Sequence, residues 1–260
     1  MDFRNRTALI TGASSGIGAA FARELAAKGV NLVLVARRLD RLNQLSTELS
    51  QKHGVKVAVV NLDLTADSSV PKLKTKVDEL GLKVDLLINN AGFATSGDFE
   101  KEDLPQALNQ IDLNVKALVA LTHAFIPEML SRKHCAVINV ASTAAFQPVP
   151  TMAVYGATKA FVLSFSEALW AEFNSRGVRV LALCPGATDT EFFEVAGSKG
   201  TGSKRETPDE VARAAIAELS RKKMKPSIVS GARNKVISVL PRLVPRAFMS
   251  KLSQKAMTRD

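Results

Sequence analysis

The chain has a single tyrosine, Tyr155, and a lysine, Lys159, follows it by four residues. On a helix that spacing puts both side chains on one face, with Cβ atoms about 5–6 Å apart. An ammonium beside a phenol favours the phenolate and lowers a pKa that starts near 10. A tyrosine so tuned can give a proton to a carbonyl that is becoming an alcohol, and take it back in reverse. Ser142 falls just past a predicted strand, where its hydroxyl can hydrogen-bond the oxygen that gains negative charge. Asn114 lies inside a long helical stretch. An asparagine buried there loosens the local hydrogen bonding and can hold a water behind the lysine, although by itself it reads as a polar core residue. A Tyr/Lys pair is common; the serine gives it weight.

These residues need elements that bring them together. Runs rich in Val, Leu, Ile and Ala predict strands at Thr7–Thr11, Asn31–Ala36, Lys56–Asn61, Val84–Asn89, Ala136–Ala141, Val178–Cys184 and Ser227–Ser230. Helical periods lie between them at Gly16–Lys28, Leu39–Lys52, Ala66–Leu80, Leu104–Arg132, Val154–Arg176 and Pro208–Arg221. Such alternation predicts right-handed βαβ units in an α/β fold, a doubly wound parallel sheet of seven strands with helices on both faces. Open sheets of this kind bind ligands at the carboxyl ends of their strands, where Ser142 falls. Ala187–Thr207 is rich in Gly, Ser, Thr and Lys, too long for an ordinary connection, and is expected to be a lid.

At the same edge the first strand runs into Thr11-Gly12-Ala13-Ser14-Ser15-Gly16-Ile17-Gly18 and a helix. Glycines let a backbone turn sharply and approach a pyrophosphate, and the helix N-terminus offers it free N–H groups. A plain dinucleotide site carries an acidic residue about 20 positions on, for the ribose hydroxyls. Here the second strand ends in Arg37-Arg38 instead. A guanidinium can pair with a 2′-phosphate that a carboxylate would repel, so NADP(H) is expected, with Arg37 the better phosphate ligand and Arg38 a stacking partner for the adenine. Asp63 and Leu64 follow the third strand within reach of the adenine edge. The small residues of Asn89-Asn90-Ala91-Gly92 let backbone come near the adenosine ribose.

Together these features resemble the short-chain dehydrogenase/reductase family over nearly the whole chain up to about Gly231. Its Thr-Gly-x-x-x-Gly-x-Gly loop matches Thr11 to Gly18, Asn-Asn-Ala-Gly matches Asn89 to Gly92, and Tyr-x-x-x-Lys matches Tyr155 to Lys159. Ser142 stands 13 residues before the tyrosine, and Pro185-Gly186 with Thr190 matches the turn that flanks the nicotinamide. The resemblance implies a Rossmann fold and an Asn-Ser-Tyr-Lys tetrad of Asn114, Ser142, Tyr155 and Lys159. It implies that Tyr155 is the acid/base, Ser142 polarises the substrate oxygen, Lys159 lowers the tyrosine pKa and holds the nicotinamide ribose, and Asn114 supports a relay water. The carboxamide is expected to meet Thr188 and Thr190. One departure is Ser15, where some NADP-preferring members carry a basic residue; that leaves the phosphate to Arg37, Arg38 and hydroxyls such as Ser14.

Phe93, Ala94, Phe146, Val149, Met152, Phe192 and Phe193 are the expected substrate pocket, suited to a hydrophobic ketone, aldehyde or acyl-chain carbonyl. A non-catalytic NADP(H) sensor and an epimerase on the same scaffold are the alternatives. Family analogy implies a homodimer or homotetramer built on the helices Leu104–Arg132 and Val154–Arg176. The second helix carries Phe161, Phe165, Leu169 and Phe173 at helical spacing, a stripe that also suits a core.

The 260 residues fit one generous α/β domain over 1–230, with 231–260 as a basic amphipathic extension. The composition, 46% hydrophobic and 23% charged, is that of a globular chain, and the N-terminus has no secretory h-region. No run approaches the ~20 uninterrupted apolar residues of a membrane span. Cys135 and Cys184 should lie too far apart to bridge, the three histidines are scattered, and no metal site is expected. A cytoplasmic setting fits. From Ser220 onward there are 11 Lys/Arg against one acidic residue, so the tail carries all of the +10 excess. A nucleic-acid binder would carry its basic stripe on the folded body, so no nucleic acid is expected. Two readings of the tail compete: peripheral contact with an anionic membrane, or packing over the cleft or a neighbouring subunit. Pro241 and Pro245 favour packing because they prevent one long interfacial helix.

Overall fold

The computed structural model describes residues 3–192, 196 and 205–257. Seven parallel strands form one sheet in the order β3-β2-β1-β4-β5-β6-β7. They are β1 (Thr7–Thr11), β2 (Asn31–Ala36), β3 (Val57–Asn61), β4 (Leu86–Asn89), β5 (Cys135–Val140), β6 (Val178–Cys184) and β7 (Ser227–Val229). Strand order reverses between β1 and β4, which opens a crevice at their carboxyl ends. The helices are α1 (Gly16–Ala26), α2 (Leu39–His53), α3 (Ser69–Glu79), α4 (Leu104–Ile111), α5 (Leu118–Arg132), α6 (Ala153–Phe173) and α7 (Pro208–Leu219), with α8 (Ala232–Val239) and α9 (Arg246–Met257) in the tail.

The strands are apolar throughout because both faces are covered, and successive side chains divide between two cores. Ala8, Ile10, Leu32, Leu34 and Ile88 pack with Phe21 and Leu25 of α1 and Ile216 of α7. Leu9, Val33, Val35, Leu87 and Val137 pack on the other side with Leu73 of α3 and Leu121, Phe125 and Met129 of α5. A chain of buried polar groups ties this second side to the helix that carries the tyrosine. Asn89 donates to Asn139 (2.8 Å) and Thr122 (3.1 Å), Asn139 donates to Ser166 of α6 (2.9 Å), and Ser166 donates to the Val162 carbonyl (2.6 Å). It fixes where α6 lies along the sheet. Cys135 and Cys184 are free and buried. They open β5 and close β6, with Cys135 opposite Val178, so six strand residues separate them, roughly 20 Å.

Two segments add to the sequence reading, and the tail breaks where that reading put its prolines. Leu104–Arg132 is not one regular helix, because a π-helical turn over Asp112–Ala117 separates α4 from α5. Although this stretch is long and apolar enough by composition to cross a membrane, Leu118, Leu121, Phe125 and Met129 are committed to the core. The two ends of the expected lid are pinned together by a single β-bridge. Thr188 bridges Glu206, Asp189 N–H donates to the Glu206 carbonyl (2.8 Å), and Glu206 N–H donates to the Ala187 carbonyl (3.0 Å). The tail is broken at its prolines, with a 3₁₀ turn at Leu240–Arg242 between α8 and α9. It packs on the body: Asn234 donates to Glu206 (2.8 Å), and Ser238, Met249 and Ser253 are buried.

Candidate active site

β1 delivers the chain into its glycine loop with Gly12 and Gly16 at φ +65° and +54°, a region that side-chain-bearing residues avoid. Close approach excludes side chains as well. A Cβ on Gly12 would lie 2.8 Å from Asn90 Nδ2, and one on Gly18 would lie 2.3 Å from the Gly12 carbonyl oxygen. Asn90 stitches loop to sheet, its Nδ2 donating to the Thr11 carbonyl at 2.9 Å, while Thr11 Oγ1 accepts from the Asn90 and Ala91 N–H groups at 3.0 Å each. Ser15 precedes α1 without capping it through its side chain, so the first-turn N–H groups remain for an anion.

From this loop a cleft of about 590 Å³ runs along the strand ends. Gly12, Ser14, Ser15, Gly16, Ile17, Arg37, Arg38, Asp63 and Leu64 line one end. Asn90, Ala91, Gly92, Pro185, Gly186, Thr188 and Thr190 line its middle, and Ser142, Tyr155 and Lys159 its far end. Gly18 packs behind the loop instead. The length of the cleft, the glycine cradle and the arginines at one end fit a nicotinamide dinucleotide. At that end the two arginines make different contacts. Arg38 donates to Ser14 (3.2 Å), Ser15 (2.6 Å) and Glu191 (2.7 Å), tying the second strand to the phosphate loop and the lid. Arg37 projects into solvent, 3.8 Å from Asp63.

At the other end, Ser142 Oγ accepts a hydrogen bond from Ala144 N–H (3.1 Å) and pairs with the Tyr155 hydroxyl. Lys159 Nζ donates to the Val140 carbonyl (2.7 Å) and lies 5.8 Å from the centroid of the tyrosine ring. All of this sits on the first two turns of α6 and the end of β5. Asn114 is brought behind it by the π turn: its Oδ1 accepts from Phe93 N–H (3.1 Å) and its Nδ2 donates to the Phe93 carbonyl (3.0 Å) and to Thr158 (3.1 Å). π turns of this kind free backbone groups and occur mostly at functional sites. Gly92 is where the groups converge, since a Cβ there would meet Asn114 Oδ1 at 2.8 Å and Lys159 Nζ at 3.6 Å.

This geometry has its counterpart in known proteins. A family profile described as short chain dehydrogenase matches residues 6–200. The chain belongs to the short-chain dehydrogenase family. Sulfoacetaldehyde reductase 2 of Chromohalobacter salexigens is 40% identical over 71% of this chain and 73% of its own length. The very-long-chain 3-oxoacyl-CoA reductase of Mus musculus is 33% identical over 72% of this chain and 61% of its own. A short-chain dehydrogenase from Sphingobium yanoikuyae, solved with NADPH, superposes with a TM-score of 0.81 at 36% identity, covering 91% of this chain and 94% of that one. Members of this family are oxidoreductases that use a nicotinamide dinucleotide, and the sheet order above is their Rossmann-like arrangement.

In the free protein, burial dominates the titration of both groups. Burial pushes the Tyr155 phenol up to about 12, only partly opposed by its hydrogen bond with Ser142, and burial also pushes Lys159 down to about 8. The ammonium faces the ring and bonds a carbonyl. At neutral pH the free protein therefore holds the phenol as an acid.

Of the expected substrate residues, Phe93, Val149, Met152 and Phe192 line the cleft, with Phe192 5.4 Å from Tyr155 between ring centroids. Ala94 is wholly buried beneath Tyr155 and Met152. Phe146 lines a neighbouring cavity of about 250 Å³ with Pro148, Pro241, Arg246 and Met249. Phe193 lies outside the described residues. Sequence reasoning missed Leu113, Gln147 and Pro148, which line the cleft, and Ser253 of α9. The Ser253 hydroxyl is buried without a hydrogen-bond partner among the described residues. It also missed Glu191, whose carboxylate takes hydrogen bonds from Arg38 (2.7 Å) and Arg41 (2.5 Å), which hold its pKa down at about 2. An acidic residue directly before a Phe pair carries no local signal; only the fold brings it to the arginines.

Proposed function

We propose that this protein is an NADP(H)-dependent carbonyl reductase acting on a hydrophobic ketone, aldehyde or acyl-chain carbonyl. One observation carries the reading: a half-buried Ser142 beside the buried Tyr155, with buried Lys159 close by, ends a cleft whose other end holds Arg37 and Arg38. A nicotinamide dinucleotide bound there supplies the hydride equivalent. Gly12, Ser14, Ser15, Gly16 and Ile17 would hold its pyrophosphate, Arg38 and Arg37 its 2′-phosphate, Asp63 and Leu64 its adenine, and Asn90, Ala91, Gly92 and Lys159 the two riboses. Pro185, Gly186, Thr188 and Thr190 would hold the carboxamide end.

In the reductive direction the substrate carbonyl oxygen accepts hydrogen bonds from Ser142 Oγ and Tyr155 Oη. Ser142 Oγ is held by the Ala144 N–H, and its hydroxyl hydrogen can turn from Tyr155 to the substrate oxygen when substrate binds. As the oxygen gains charge, Tyr155 Oη passes it a proton, and the ammonium of Lys159 stabilises the phenolate left behind. Asn114 acts through the backbone it holds at Phe93 and through water behind Lys159. Apolar walls at Phe93, Leu113, Val149, Met152 and Phe192 exclude water and favour a hydrophobic substrate. Two relatives are reductases named for an aldehyde and for a 3-oxoacyl-CoA, and a structural neighbour carries NADPH, which supports both halves of the reading.

Exposed Leu104, Leu108 and Ile111 on α4 and Phe161 on α6 support pairing of two copies through these helices. The stripe on α6 runs from exposed Phe161, stacked 5.7 Å from Phe165, to buried Phe173, so it serves both surface and core. The test is oxidation of NADPH and NADH against a panel of apolar aldehydes, ketones and 3-oxoacyl thioesters. Turnover with NADPH is expected; a cofactor that binds but is never oxidised would make the protein a sensor, and interconverted stereoisomers without net oxidation would make it an epimerase.

A further inference from the structure

The C-terminal extension turns one face inward and leaves the other uncovered. Met249 and Ser253 of α9 are buried, the first against Phe146 and Pro148 and the second in the cleft wall. Outside, Val236 and Leu243 are each 75% exposed, Phe248 is 57% exposed, and Ile237, Leu240 and Leu252 are exposed as well. Phe248 and Leu252 are four residues apart and share one face of α9. Single exposed apolar residues are ordinary, but with Val239 there are seven within seventeen positions of a 260-residue chain, and together they are a patch. Between and beside them stand exposed Arg233, Lys235, Arg246, Lys251 and Lys255, and the sequence holds no acidic residue from Leu219 until Asp260.

We propose that this outer face docks on the surface of an anionic lipid bilayer. Apolar side chains at the acyl boundary with Lys and Arg at the headgroups is the arrangement that binds a helix in the plane of a membrane. Long basic side chains can keep their charge at headgroup level while their stems cover apolar surface. The breaks at Pro241 and Pro245 are no obstacle, because short helices anchored to a folded body need no internal continuity to lie on a surface. A second copy fits less well: a two-fold contact would set this patch against itself and bring like charges together. Nucleic acid would use the charges and leave Val236, Leu243 and Phe248 in water. The docked face is the reverse of the helix that walls the cleft, so an apolar substrate dissolved in lipid would have a short path to the site.

The test is flotation of the full chain with phosphatidylcholine vesicles, with and without phosphatidylglycerol. Binding to the anionic vesicles is expected to exceed binding to the neutral ones by at least about tenfold and to weaken as salt is raised. Val236→Glu/Leu243→Glu is expected to abolish it at unchanged melting temperature and cofactor affinity, since both side chains lie in solvent. As a second readout, the emission of a Phe248→Trp variant is expected to shift to the blue on adding anionic vesicles. Failure to float, or flotation that the double glutamate variant does not reduce, would overturn the proposal. So would a change of oligomeric state in that variant without any lipid binding, which would make a second copy the occupant.

Discussion

The two ends of the cleft are built on opposite physical terms. Around Tyr155 everything is buried: Lys159, Asn114, Thr158 and the phenol itself have lost water, and their hydrogen bonds go to backbone or to each other. Around Arg38 the groups stay half in solvent, where the guanidinium forms an ion pair with Glu191 and donates hydrogen bonds to Ser14 and Ser15. Burial makes the first end unforgiving, because a removed partner leaves another polar group orphaned. Exposure makes the second end adjustable, because each charge can fall back on water. Under the proposed function, the chemistry rests on the desolvated end and cofactor choice on the exposed end, where single substitutions are expected to shift it.

The largest expected effect lies at the buried end. Tyr155→Phe should lower turnover by at least about a thousandfold, on the order of 4 kcal/mol in the barrier, while NADPH affinity measured by fluorescence stays within about twofold. Substantial remaining activity would break the acid/base assignment. Lys159→Met should also cost on the order of a hundredfold in turnover, yet raise the thermal midpoint at pH 7 by a few degrees, because it removes a buried ammonium. The same lysine should leave a signature in pH. Its pKa of about 8 lies below the ordinary 10.5, so the unfolded chain binds more protons between those values and stability rises with pH across that window. The kcat/KM for reduction should stay flat up to about pH 8 and fall above it as the ammonium is lost, and Lys159→Met should remove that inflection.

Effects at the exposed end should be smaller and should sort by cofactor. Arg38→Ala should weaken NADPH binding roughly ten- to thirtyfold and NADH binding little, whereas Arg37→Ala should have the lesser effect of the two. The reverse order would restore Arg37 as the principal phosphate ligand. Glu191 competes for the same guanidinium groups. With a pKa of about 2 it stays ionised around neutral pH, so Glu191→Gln should tighten NADPH by roughly threefold with little pH dependence between about pH 6 and 8. Calorimetric titration of both cofactors checks each of these, and an equal gain for NADH would mean that the carboxylate acts on the lid alone.

Much of the frame was legible in the chain. β1, β2 and β6 begin and end where their apolar runs do, because a strand covered on both faces must be apolar along its whole length. The glycine loop was readable because only glycine tolerates the φ and the contacts found at Gly12, Gly16 and Gly18. Ser142, Tyr155 and Lys159 were readable through local spacing on one strand end and one helix. Asn114 was visible as a residue but not as a structure. The π turn forms because its side chain bonds Phe93 and Thr158, partners 21 and 44 positions away. Glu191 and Ser253 gave no signal, being 153 residues from Arg38 and in a tail whose pattern suggests only amphipathic packing.

By itself, then, the sequence determined the strand–helix alternation, the phosphate loop and the reactive trio, since each depends on periods and spacings of a few residues. The direction of the tyrosine pKa, the latch of Glu191 across the arginines and the closing of the cleft by α9 were decided only in the folded molecule. These depend on how much water is excluded and on which charges meet across long stretches of chain, quantities that no local pattern contains.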